Sequence, residues 1–95
     1  MGHVFVNVRF RGRDVFIMEK VLVNPGASFT VMPLEIAREH FIETPFEAEV
    51  KLGDGRMVKA KVFIAEAEIE GRRGPVQVLA FSGAMPVVGV DTLES

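Results

Sequence analysis

The sequence contains no cysteine. This absence excludes disulfide bonds, thiolate nucleophiles and zinc sites built from cysteine. It is compatible with the reducing cytoplasm, where we expect the protein to reside. The chain also lacks an apolar run of the roughly 20 residues that a transmembrane helix needs. Its first residues show no basic region followed by an apolar core, so the sequence predicts neither a membrane span nor a signal peptide.

Charge of either sign is not concentrated anywhere in the chain. Eleven basic and 13 acidic residues are interspersed, and the formal net charge is −2. The adjacent residues Arg72 and Arg73 do not belong to a long basic run. Because nucleic acids and anionic membrane surfaces bind basic faces, we expect neither as a partner.

Motifs for metal, phosphate and serine chemistry are absent as well. His3 and His40 lie far apart in the sequence and lack metal-ligand spacing. The chain has no Gly-x-Ser-x-Gly sequence, and the glycine-containing segments 53–55 and 71–74 do not make a phosphate-binding loop. The sequence therefore predicts no metal ion and no cofactor.

What the chain does contain is typical of a small globular domain. Its 95 residues are 48% hydrophobic and 25% charged, which predicts a single domain over residues 1–95. A chain of this length buries only about two thirds of the surface of its unfolded form. Its core is therefore modest, and dimerisation would stabilise it.

Apolar residues in the first part of the chain predict a β-hairpin. They occupy every second position from Val4 to Phe10, the pattern of a half-buried strand. Residues 12–14 would form a turn, and residues 15–23 are a second apolar, β-branched run that would pair with the first. Residues 29–32 predict another short strand.

A helical pattern follows at residues 33–41. Leu34, Ala37 and Phe41 recur at helical spacing, and Pro33 suits a first helical turn. Thr44-Pro45 is expected to end this helix, because the residue before a proline disfavours helical geometry.

The second half of the chain predicts long strands joined by glycine turns. Residues 49–70 would form two strands around Gly53-Asp54-Gly55, since Asp-Gly between strand residues favours a hairpin turn. The apolar parity changes near Ala65, which would mark a bulge or a bend. Residues 71–74 would form a further turn, and residues 75–81 a further strand.

An apolar segment, residues 85–90, comes last, and Asp91 to Glu94 have the spacing of a capping box that starts a helical turn. Many short strands, glycine turns and one or two short helices together predict an all-β fold. The two architectures that fit are a sandwich and a small closed barrel.

The segment around Asn24 carries the most specific functional signal. The apolar residues 21–23 run into Asn24, then Pro25, Gly26, Ala27 and Ser28, and a second apolar run follows. This segment resembles the active-site loop of retropepsin-like aspartic proteases, in which an apolar run precedes Asp-Thr-Gly-Ala. Here Asn24 stands at the position of the catalytic Asp, and Pro25 stands at the position of Thr or Ser.

Two further landmarks of the same family follow in order. Residues 52–56 resemble the flap, a hairpin that folds over the substrate. Val87-Val88-Gly89, followed by residues 91–93, resembles the apolar pair that passes behind the active-site loop and precedes a short helix. The resemblance implies a small closed β-barrel that acts as a homodimer. Family members usually continue into a further strand, whereas this sequence stops at Ser95.

The resemblance also implies that two chemical groups used in catalysis by the family are missing from this sequence. Each family subunit supplies one Asp, and two carboxylates about 3 Å apart share a proton in catalysis. The amide of Asn24 neither titrates near neutral pH nor takes a proton from water. Pro25 has no hydroxyl and no backbone N–H with which to join the two loops. The resemblance therefore implies a proteolytically inactive homologue.

Such a homologue would at most bind an extended peptide or protein segment in the groove of a homodimer. Asn24 would form the groove floor. The remaining residues expected to contact the peptide lie in the loop and in the flap: Pro25, Gly26, Ala27, Ser28, Gly53, Asp54 and Gly55.

Two other functions fit the same residues. The chain could be an active or deliberately inactivated homodimeric aspartic endopeptidase. It could also be a structural or interaction β-domain without a groove, in which Asn24-Pro25-Gly26 is only a turn. Asp91 does not replace the missing acid, since Leu93 stands where the motif requires Gly, and we expect it to cap a helix instead.

Overall fold

The computed structural model describes residues 4–93, which form seven β-strands and one α-helix. No helix within these residues has the length and apolar character needed to cross a membrane. The elements in chain order are β1 Phe5–Arg11, β2 Val15–Asn24, β3 Phe29–Pro33, α1 Leu34–His40, β4 Ile42–Lys51, β5 Met57–Ile69, β6 Arg72–Phe81 and β7 Val87–Gly89.

Six of the strands close into a barrel, which confirms the predicted small all-β barrel. The strand order is β1-β2-β7-β3-β6-β5, and β1 pairs with β5 to complete the ring. The predicted hairpin of β1 and β2 is antiparallel, with Phe10 opposite Phe16. β4 lies outside the ring, and its one partner among the seven described strands is β5.

The barrel core is built from the alternate residues that face inward on each strand. Val8 and Phe10 of β1 are completely buried, as the alternation predicts. α1 covers the core with Ala37, and Phe41 directly after it packs edge-on against Phe10, with ring centroids 5.1 Å apart. Burial of these apolar side chains is the main stabilising term of the fold.

The strand β4 is longer than the sequence predicts, because Thr44-Pro45 lies inside it and does not mark a break. α1 ends at His40, and β4 begins at Ile42. The register between β4 and β5 shifts between Glu43 and Glu47. A proline is tolerated here since β4 is an edge strand with the shift at this point. The Thr44 hydroxyl donates a hydrogen bond to the Val62 carbonyl at 2.7 Å and keeps the strand attached.

The predicted change of parity on β5 is present. The register of β5 with β6 runs without a break from Lys61 to Ile69, whereas the register of β5 with β4 shifts between Glu43 and Glu47. Ala60 and Val62 belong to a small apolar cluster with Leu79, whereas Phe63 and the odd-numbered residues after it belong to the barrel core. The strand thus serves two apolar clusters, one on each face.

The turn between β5 and β6 is shifted from residues 71–74 to Glu70-Gly71. Both residues have positive φ, 50° and 81°, which is the conformation of a tight hairpin turn. Gly74 lies within β6, close to the Thr92 carbonyl. Asp91 and Thr92 form a turn, and Glu94, the other half of the predicted capping box, lies outside the described residues.

β7 occupies the centre of this arrangement. It runs parallel to β2, with Asn24 opposite Gly89, and it pairs in the antiparallel sense with β3 through Val31 and Val87. Three residues near the end of the chain therefore separate two strands that are consecutive in sequence. This insertion fixes the position of the loop between β2 and β3.

Candidate functional site

The loop after β2 is a β-turn determined by its own sequence. The Ala27 N–H donates to the Asn24 carbonyl at 3.2 Å, and the Asn24 Oδ1 accepts from the Gly26 N–H at 3.3 Å. Asn at the first position and Pro at the second are the residues that such a turn favours. The Asn24 side chain is exposed, with its oxygen turned toward Gly26 and its Nδ2 without a partner in residues 4–93.

Strand β7 supports this turn from behind. A Cβ atom on Gly89 would collide with the Phe29 carbonyl oxygen and would lie 2.7 Å from that of Ala27. The Gly89 N–H donates to the hydroxyl of Thr30, which is completely buried, and the Asp91 N–H donates to the Ala27 carbonyl. Only a glycine permits this approach of two backbones.

The flap, residues 52–56, is closed by local hydrogen bonds. The Leu52 N–H donates to the Arg56 carbonyl at 2.8 Å, and the Gly55 N–H donates to the Leu52 carbonyl at 2.9 Å. Asp54 accepts from the Arg56 backbone N–H and from its guanidinium. These two contacts, the backbone one first, lower the pKa of Asp54 below its usual value of 3.8.

Asn24 and the base of the flap line a common cleft of about 500 Å³. We call it the Asn24 cleft. It brings together Asn24, Ala27 and Gly53 of the residues that the sequence predicted. The other residues that line it are Phe29, Val31, Val50, Lys51, Leu52, Phe81, Met85 and Val87.

The remaining predicted residues lie elsewhere. Pro25 and Gly26 are exposed in the turn and do not line the Asn24 cleft, and neither do Asp54 and Gly55 at the tip of the flap. Ser28 lines a different groove, on the outside of the barrel. Asp91 is exposed and also stands outside the cleft lining, so the geometry gives it no part in this site.

Most of the apolar lining was missed by the sequence analysis. Phe29 and Val31 share one face of β3, and Val87 is the neighbour of Val31 on β7. The alternation on β3 was a usable signal for the first two. Phe81 and Met85 flank a loop, where no periodicity identifies a buried or exposed face.

The chemistry available in the Asn24 cleft is apolar contact and neutral hydrogen bonding. Its lining within residues 4–93 includes no carboxylate and no imidazole, and Lys51 is its one charged side chain. The Asn24 amide can donate a hydrogen bond through Nδ2. The cleft can therefore bind a ligand, but its lining lacks the pair of acids that aspartic proteolysis requires.

A second cavity, which we call the outer groove, is lined mainly by residues of β4, β5 and β6 and measures about 800 Å³. Ile42, Phe46 and Ile64 line it and are exposed. Two of its polar side chains are already bonded, since Thr44 donates to Val62 and Thr92 donates to the carbonyl of Pro75. The volume of the outer groove, about 800 Å³, exceeds that of the Asn24 cleft, about 500 Å³.

Residues 4–93 contain no group of three or more His, Asp or Glu side chains placed to hold a metal ion. No protein-family model matches the chain, and no curated protein sequence matches it either. A functional proposal for this chain therefore rests on the geometry of the Asn24 cleft and its surroundings.

Proposed function

We propose that this chain is a retropepsin-like domain without proteolytic activity, which binds an extended peptide in a groove formed by the Asn24 clefts of two copies. The observation that carries the proposal is the position of Asn24 and Gly53 on the walls of one cleft. A turn at the end of one strand and the base of a hairpin about 30 positions later in the sequence face the same space, where a ligand can contact both.

The residues of the cleft support binding without hydrolysis. Peptide hydrolysis requires a group that takes a proton from water and a group that donates one to the leaving nitrogen. Asn24 can do neither, and the ammonium of Lys51 alone does not provide a pair of carboxylates that share a proton.

An extended peptide is the ligand class that the cleft favours. The backbone hydrogen bonds of the flap involve Leu52, Gly55 and Arg56, and they do not involve Gly53, so its N–H and C=O groups are left for a ligand. Extended peptides bind through backbone hydrogen bonds combined with pockets for alternate side chains. The apolar lining would supply those pockets.

A second copy would complete the groove. Phe29 is 39% exposed and Met85 is 63% exposed, and both stand at the cleft. Large exposed apolar side chains at a cleft are typical of surfaces that a partner covers. Sedimentation at increasing protein concentration is expected to show a dimer, and a strict monomer would contradict this part of the proposal.

The binding test uses two methionines of similar exposure. Met85→Ser removes an apolar group from the cleft, whereas Met57→Ser removes one that is 55% exposed and lies outside the cleft lining. We expect Met85→Ser to weaken binding of a labelled apolar octapeptide about fivefold, since covering part of this side chain contributes about 1 kcal/mol. Met57→Ser should leave the affinity unchanged.

The same assay separates the proposal from an interaction domain that uses the outer groove. That function predicts that Phe46→Ser, in the outer groove, abolishes binding while Met85→Ser does not. Our proposal predicts that Met85→Ser weakens binding about fivefold and that Phe46→Ser leaves it unchanged. Absence of binding at about millimolar peptide, a weak affinity, would contradict it altogether.

A cleavage assay tests the claim of inactivity. The unmodified chain is expected to leave peptides intact at acid pH, and pepstatin-sensitive cleavage would show that the claim is wrong. The double variant Asn24→Asp with Pro25→Thr restores the acid and the hydroxyl. If Asn24→Asp alone restored cleavage, the chain would be an inactivated protease, the second function that the sequence allows.

A further inference from the structure

We infer that the peptide bound in the Asn24 cleft carries acidic side chains and that Lys51 selects them. This inference rests on the proposed function and adds the charge of the ligand to it. It follows from two observations: within residues 4–93 no carboxylate lies within 4.0 Å of the Lys51 ammonium, and Lys51 is the one charged residue that lines the cleft.

Residues 47–61 of the flap hairpin carry seven charged side chains: Glu47, Glu49, Lys51, Asp54, Arg56, Lys59 and Lys61. Asp54 and Arg56 form an ion pair at 2.7 Å, and Lys61 lies 3.8 Å from Glu43 and 4.0 Å from Glu47. Glu49 stands directly opposite Lys59 on the neighbouring strand. Each acid of the hairpin therefore has a basic partner or a basic cross-strand neighbour.

Lys51 is the basic residue that remains. Its cross-strand neighbour is Met57, and no carboxylate lies within 4.0 Å of its ammonium in residues 4–93. Lys51 also lines the Asn24 cleft, which the other basic residues of the hairpin do not. Lys51 is thus the basic residue of this segment that lies at the proposed ligand site and has no carboxylate nearby.

The other residues that line the cleft leave the charge of Lys51 uncompensated. An acid at the position of Asn24 would place a negative charge in the same cleft as Lys51, whereas the amide is neutral. The lining then carries one positive charge per chain and no negative charge. In a groove made by two copies, the positive charges of the two Lys51 side chains would add. Both charges would favour a peptide that carries carboxylates.

The charge of Lys51 acts together with the apolar lining. Phe29, Leu52 and Phe81 line the cleft with Lys51, and because Lys51 is exposed, water and salt partly screen its charge. An acidic peptide would gain an ion pair there, whereas a basic peptide would face uncompensated repulsion. Charge thus distinguishes ligands whose apolar side chains fit equally well.

The test compares two labelled octapeptides by fluorescence anisotropy. Both have a central Phe-Leu pair, which is flanked on each side by Glu in one peptide and by Gln in the other. We expect the Glu peptide to bind about three- to fivefold more tightly at low salt, the range of a partly exposed ion pair. The difference should largely disappear at about 1 M salt, because added ions screen the charges.

Three variants assign the preference to one residue. Lys51→Gln should remove it, and Lys51→Arg should keep it because the positive charge is retained. Lys59→Gln makes the same change of net charge on the same hairpin but outside the cleft lining, so it should leave the preference intact. Melting curves of all three variants show whether each one is folded.

The outcomes distinguish a failure of the proposed function from a failure of the inference about the charge of the peptide. If neither octapeptide binds, the proposed function is wrong, and this inference falls with it. If both bind equally tightly at low salt, the groove exists but the inference is overturned. It is also overturned if Lys59→Gln abolishes the preference as Lys51→Gln does, since net charge and not position would then be responsible.

Discussion

Two hairpin turns of this protein have similar sequences and very different surroundings. The turn of residues 12–14, between β1 and β2, is fastened to the end of α1. The Arg13 N–H donates to the His40 carbonyl at 2.8 Å, and the Arg13 guanidinium donates to the Arg38 carbonyl. Asp14 pairs with the imidazole of His40 at 2.9 Å, and the Phe16 ring stacks on that imidazole at 4.0 Å.

Within residues 4–93 the flap has no comparable attachment. Its hydrogen bonds join flap residues to one another, and a Cβ atom added to Gly53 or Gly55 would meet no atom within 4 Å. In contrast, a Cβ atom on Gly12 would lie 2.6 Å from the His40 carbonyl oxygen. Each turn therefore takes its shape from its own residues, whereas its freedom to move depends on the residues that it contacts.

Hydrogen exchange should show the largest difference between the two turns. The Arg13 amide is bonded to the helix end, and its exchange requires that contact to open. The Gly53 amide has no partner in residues 4–93. We expect Arg13 to exchange at least about a hundredfold more slowly, after correction for intrinsic rates. Equal exchange rates would mean that the first turn is as free as the flap.

Adding one methyl group should also distinguish the turns. Gly12→Ala places a Cβ atom against the His40 carbonyl and the Phe41 backbone, and overpacking of this kind costs about 1–3 kcal/mol. Gly53→Ala is the matched control, since the added Cβ atom meets open space and the φ of Gly53 is not positive. We expect this variant to change the free energy of unfolding by less than about 0.5 kcal/mol. Urea unfolding of both variants measures the difference, and equal costs would contradict it.

Removing the Asp14 carboxylate should have a smaller effect. Asp14→Asn weakens the contact with His40, whose side chain is 17% exposed, while that of Asp14 is 54% exposed. For a pair this accessible we expect a loss of about 0.5–1 kcal/mol at low salt under conditions in which the imidazole is protonated. High salt should reduce the loss. A loss that does not respond to salt would point to packing of Phe16 on His40 as the main contribution.

The smallest effect concerns the acid of the flap. Because the pKa of Asp54 is lowered in the folded protein, its contacts stabilise the fold above pH 3.8 and are lost as pH falls through the lowered value. An NMR titration of Asp54 should give a midpoint below 3.8. Arg56→Gln removes the guanidinium but keeps the backbone N–H, the larger cause, so the midpoint should rise only part of the way. A complete return to 3.8 would contradict this ranking.

Local sequence was sufficient to predict most of the strands and the turns that shape them. The alternation of apolar residues predicted β1 and β6, and Asp54-Gly55 predicted the flap, because each signal lies within a few adjacent residues. The β2 turn belongs to the same class, since Asn24 and Pro25 favour it by themselves. Thr44-Pro45 was read as a break because a single sequence does not reveal that β4 is an edge strand.

The candidate site was only partly predictable for the same reason. The sequence identified Asn24, Ala27 and Gly53, but it gave no way to distinguish Lys51, which lines the cleft, from Lys59, which does not. Both lysines stand on strands with similar neighbours. Which of them faces the cleft depends on how the hairpin lies over the barrel.

What the sequence by itself determined is therefore the set of local elements and the chemical groups available, including the amide of Asn24 in the turn after β2. Only the tertiary structure decided which groups share a cleft. Closing the barrel places Gly89 against Ala27 and the base of the flap beside Asn24. These contacts join residues far apart in the chain, and their geometry is fixed by strand register and packing, which no short stretch of sequence encodes.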